Sequence, residues 1–177
     1  EEALAVDPTG PMAPGLDVVA TDVLTRTKNW KRLREVLQLL FNGSKGTDKA
    51  DRALQIARLY AGPLRDPGQL GNWLDQAAQA DPGRVLRPDA KQLDVDRMLM
   101  LGQDEDAEAL LSDVVRYLEE QRAAEEITER SHQLGLLREK LGNIDGALAA
   151  FARSHEIDGK NARRLLDYGR VLIAAGH

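Results

Sequence analysis

The sequence predicts an all-α fold of antiparallel helix pairs packed side by side, and three observations carry that expectation. Apolar residues recur at i, i+3 and i+4 along most of the chain, the spacing of a helix that buries one face. No segment keeps a period-2 alternation between hairpin turns, so no strand is predicted. Gly135 to Gly169 and Gly142 to Gly176 each span 34 residues, a self-similarity that marks repeated units in the last third of the chain.

The helices follow from stripes and punctuation, taken in order. Pro8 to Gly15 is turn-rich, and helices are expected at about 14–27 and 30–42, the second carrying the stripe Leu33, Val36, Leu37, Leu40 and Phe41. Asn42-Gly43-Ser44-Lys45-Gly46-Thr47 reads as a loop between helices. It has the composition of a phosphate loop without the glycine-x4-glycine-lysine pattern or a preceding strand. A helix at 48–62 stops at Pro63, because proline removes an N–H and crowds the preceding turn. Asp66 offers an N-cap acceptor and Pro67 suits the first helical position, so a helix opens at 67 and runs to 80, where Asp81-Pro82-Gly83 closes it. Pro88 opens the next helix, 88–101, and Gly102 ends it. A helix at 104–122 carries Ala107, Leu110, Leu111, Val114, Val115 and Leu118 on one face. Helices at 124–141, 144–157 and 162–175 follow, with Gly142 and Gly176 as stops.

Both ends carry apolar helical faces without a partner. Glu1 to Pro8, EEALAVDP, has the form of the last turns of a helix, and residues 163–177 form a helix with no successor to cover it. The expectation is a piece of a longer protein.

Composition narrows the function. A chain of 177 residues, 42 % apolar and 30 % charged, holds enough apolar material for a core, but with 4 % aromatics that core must be Ala, Leu and Val. The absence of cysteine excludes a disulfide scaffold and thiolate-ligated zinc or iron–sulfur sites. No run approaches the roughly 18–20 apolar residues of a membrane span. A net charge of −5 gives no bulk attraction to nucleic acid or anionic lipid. Arginine exceeds lysine 17 to 7, the composition expected of a bacterial protein, and the cytoplasm is the expected compartment, with the periplasm as the alternative.

The stretch SHQLGLLREKLGNIDGALAAFARSHEID, residues 131–158, combines a small residue in a first helix (Gly135), a turn glycine (Gly142) and the Ala147–Phe151 pair of a second helix. The small residue permits close approach, and the large one fills the gap between neighbouring helices. Gly102, Ala107 and Leu111 repeat the spacing of Gly142, Ala147 and Phe151, and Leu70, Leu74 and Ala77 lead into an Ala80-Asp81-Pro82 ending. This pattern resembles the tetratricopeptide repeat (TPR), with Ser154 and Gly159 as mild departures. The resemblance implies a right-handed α-solenoid, with approximate units 14–47, 51–84, 88–121, 128–161 and a partial 162–177. It also implies a concave groove lined by first helices that binds a peptide or partner protein without catalysis.

In that register the groove is expected to present Asp22, Arg26, Gln55, Asp96, His132, Leu136, Glu139 and Arg170. The inward positions of the last units read Glu129, His132, Gln133, Leu136 and Arg163, Leu166, Asp167, Arg170, which lack the Lys/Asn set with which some members grip a terminal carboxylate. Arg163, Arg164 and Arg170, with Arg130, Arg138 and Lys140, form the most basic cluster, suited to acidic groups. His132, His155 and His177 have no second histidine at i±4 to form a metal pair, and Glu119-Glu120 and Glu125-Glu126 diverge on a helix, so neither metal, cofactor nor catalytic residue is predicted. Trp30 and Trp73 read as interhelical packing. A regulatory or substrate-recruiting segment of a larger enzyme, and a module that self-associates end to end, are the alternatives to a binding scaffold.

Overall fold

The computed structural model describes residues 16–176. Among them lie nine α-helices: α1 Leu16–Arg26, α2 Trp30–Gly43, α3 Gly46–Ala61, α4 Pro67–Ala80, α5 Pro88–Met100, α6 Asp104–Gln121, α7 Ala124–Lys140, α8 Ile144–Ile157 and α9 Ala162–Ala174. Consecutive helices pack on one another, most closely α3 with α4 and α7 with α8, and no strand is present among the described residues. This is the all-α solenoid expected from the sequence. The readings of Glu1–Pro8, the Pro8–Gly15 stretch and His177 lie outside the described residues.

Local chemistry sets the helix ends. Asp66 accepts from the Gln69 N–H at 2.9 Å, with Pro67 at the first position of α4. Asn143 caps α8 at 2.9 Å and Asn161 caps α9 at 3.2 Å in the same way, each such cap contributing roughly 1 kcal/mol. Gly102, Gly142 and Gly176 end their helices with φ of +74°, +80° and +83°.

One boundary differs from expectation, and one short element is added. α3 starts at Gly46, so the expected loop 42–47 shrinks to a link of Ser44 and Lys45. The cause is a long-range contact: Thr47 Oγ1 donates to the Asp81 carboxylate at 2.6 Å, fixing the start of α3 to the end of α4. A 3-10 turn, Arg84–Leu86, also lies between α4 and α5. Arg84 holds it in place, donating to Asp51 at 2.5 Å and to both carboxylate oxygens of Asp89 at 2.8 Å.

The core is a succession of clusters instead of one centre. Leu37, Leu54, Leu70 and Leu93 belong to the first and Val95, Leu111, Leu134 and Ala150 to the second, so α5 contributes to both. The Phe41 and Trp73 rings meet edge to face at 5.1 Å within the first, confirming Trp73 as packing, and Trp30 packs against the same cluster. Ala147, Phe151 and Val171 make the last. A helix pair thus buries its apolar face only by leaning on the next, which is what leaves one flank open.

Candidate binding groove

The first helices of successive pairs, α3, α5, α7 and α9, do not stack evenly. α3 lies against α5 and α7 against α9, whereas the Cα atoms of α5 and α7 stay more than 8 Å apart. A groove of about 430 Å³ occupies this gap. Gln92 and Asp96 of α5 form one flank, Glu129, Arg130, His132, Gln133 and Leu136 of α7 the middle, and Asn161, Arg163 and Arg164 at the start of α9 the other flank.

A side-chain amide bridges the gap. Gln92 Nε2 donates to Asp96 Oδ1 at 2.9 Å and to Gln133 Oε1 at 3.1 Å. Gln92 is only 6 % exposed, and its Oε1 has no hydrogen-bond partner. Burial pushes the Asp96 carboxyl above the ordinary carboxylate range, while the hydrogen bond from Gln92 and the charge of Arg130 partly oppose that shift.

On the α9 flank, Arg164 donates to Glu129 at 2.7 Å and to Asp158 at 2.9 Å. Arg163 beside it is exposed and makes no ion pair among the described residues. On α7, His132 is 8 % exposed. Its Nε2 lies 3.0 Å from Asp167 Oδ2, and its ring centroid lies 5.5 Å from that of Phe151. Asp167 also lies 3.7 Å from Arg170, whose guanidinium forks onto both carboxylate oxygens of Glu139.

Of the residues named from the sequence, Asp96, His132 and Leu136 line this groove. Glu139 and Arg170 are brought together but onto each other, outside the groove lining. Gln55, on α3, accepts from Arg52 at 3.2 Å. Asp22 and Arg26 pair along α1 at 3.0 Å. The bridging amide of Gln92 and the capping Asn161 were not anticipated, since an uncharged side chain gives no signal without the correct register. Among the described residues no group of three or more His, Asp or Glu is placed to hold a metal, and no helix is long and apolar enough to cross a membrane.

No family model matches the chain, and no curated protein matches it. Solved structures do. Two crystal structures of MamA superpose with a TM-score of 0.69 at 13 % identity, one covering 94 % of this chain and 87 % of its own, the other 91 % and 81 %. YrrB, a TPR protein with an unusual peptide-binding site, superposes with a TM-score of 0.65 at 16 % identity, covering 99 % of this chain and 82 % of its own. The fold is that of the tetratricopeptide repeats. In this TPR fold the gap between α5 and α7 opens among the first helices of successive pairs, with the start of α9 on its far side.

Proposed function

We propose that this chain is a protein-interaction scaffold whose groove between α5, α7 and α9 receives an extended segment of a partner protein. The parting of α5 from α7 around a polar floor is the observation that carries this reading. An amphipathic helix needs an apolar trough, whereas a groove of amides, carboxylates and guanidiniums with Leu136 as its one apolar side chain suits a chain that offers main-chain hydrogen bonds. The likeness to YrrB, a peptide-binding protein of the same fold, supports it. Binding, not catalysis, is the proposed role.

The test is a peptide selected from a random displayed library on the whole chain and titrated into isotope-labelled protein. Backbone resonances of Gln92, Gln133 and Leu136 are expected to shift. Shifts confined to α6 and α8 would contradict the reading.

Self-association rests on a separate observation: Leu166 and Ile173 on α9 are 74 % and 77 % exposed. A second copy covering them makes the scattering mass rise with concentration, and a strict monomer at high concentration removes this reading.

A further inference from the structure

We infer that the groove takes an acidic segment, with an Asp or Glu carboxylate of the partner held between Arg163 and Arg130; this rests on the reading of the groove as a peptide-binding site. The first turn of a helix carries the positive end of the backbone dipole and favours acidic side chains. α9 has none there and instead places Arg163 and Arg164 in that turn. Arg164 is relieved by Glu129 and Asp158. Arg163 is exposed, lines the groove and makes no ion pair among the described residues, so its guanidinium is left to an incoming group.

Arg130 adds to it from α7. Its Nη1 reaches Gln133 Oε1 at 3.5 Å, the outer limit of a hydrogen bond, and it acts on Asp96 through space. Both guanidiniums keep donors in the fork geometry that a carboxylate accepts.

The buried Gln92 supplies the second, independent observation. It lines the same groove, and its buried Oε1 has no hydrogen-bond partner, an unsatisfied acceptor that a small turn of the side chain would offer to a backbone N–H. Donors for a carboxylate beside an acceptor for an amide are the complement of an acidic residue within an extended polypeptide. A phosphodiester backbone brings acceptors and no donor for that oxygen.

The experiment uses the library-selected peptides on the whole chain. The selected pool is expected to be enriched in Asp and Glu. Replacing the acidic residue of the best peptide by its amide, or introducing Arg163→Glu, is expected to weaken binding by about tenfold or more with unchanged far-UV circular dichroism. Arg163→Gln gives a smaller loss in the same direction, a control should the reversal disturb the fold. Peptides that shift Gln133 and Leu136 but show no acidic enrichment, or that ignore Arg163→Glu, overturn the acidic assignment and leave the groove reading standing. Selected peptides that perturb neither α5 nor α7 remove both. A single-stranded oligonucleotide that binds more tightly than the best acidic peptide, and is lost with Arg163→Glu, overturns it in favour of nucleic acid.

Discussion

Gly135 and Phe151 occupy one space: a methyl group on Gly135 would stand 2.7 Å from two carbons of the Phe151 ring. The missing side chain on α7 is what lets the ring of α8 lie flush, 1 % exposed, between α7 and α9. Gly135→Ala is therefore expected to destabilise the fold by about 1–3 kcal/mol, although Ala normally favours a helix by roughly 0.5–1 kcal/mol. Urea unfolding measures it. A double variant with Phe151→Leu should recover part of the loss, because the two positions compete for the same volume.

Gly169, one repeat later, meets nothing within 4 Å of the same added methyl. Gly169→Ala is expected to raise stability by about 0.5–1 kcal/mol, the opposite sign at the equivalent position. A thermal scan of the two variants side by side checks the contrast.

Arg84 ties three elements together and sets a pH dependence. Its guanidinium beside Asp89 holds that carboxyl below the usual range. An acid whose folded value is depressed adds stability that is complete above its unfolded value, about 3.9, and lost as pH falls through the folded one. Asp89→Asn is expected to cost about 1 kcal/mol at pH 7, discounted because the Asp89 side chain is 41 % exposed, and to flatten the stability profile below about pH 4. Chemical denaturation across that window reads both effects.

Asp96 works with the opposite sign. Burial raises its carboxyl, so the folded state holds its proton more tightly than the unfolded chain, and stability falls as pH rises through that range. Asp96→Asn is expected to be more stable than the parent at pH 7, with the gain vanishing below about pH 4. An Asn variant less stable at neutral pH would show that the carboxylate is needed by the amide bridge.

Glu139 and Arg170 satisfy each other across α7 and α9, with the Arg170 side chain 56 % exposed. A double-mutant cycle with Glu139→Gln and Arg170→Gln is expected to give only a weak coupling, because solvent screens the pair. Peptide binding should survive both changes, since neither residue lines the groove.

The fold was legible wherever the cause is local. The Leu33 to Phe41 and Ala107 to Leu118 stripes, the Asp66-Pro67 start, the glycine stops and the Gly135–Phe151 fit all depend on residues within one helix pair. The start of α3 was not, because it hangs on Thr47 reaching Asp81 from another helix. The groove was legible in part. His132 and Leu136 share one face of α7, within the regular 34-residue spacing. Gln92 lies outside that spacing, because Gly102 to Gly142 spans 40 residues where Gly142 to Gly176 spans 34, and the longer α6 and α7 shift the register of everything before them. The mutual pairing of Glu139 and Arg170 was equally invisible, since spacing along one helix cannot tell whether a charge faces a partner or its neighbour.

The groove itself is tested most directly by a photo-cross-linking residue placed at Leu136 and, separately, at Tyr117 on α6, outside the groove lining. With the library-selected peptide present, the scaffold account predicts a cross-link from position 136 that excess unlabelled peptide abolishes, and none from position 117. A cross-link from 117 alone would contradict it.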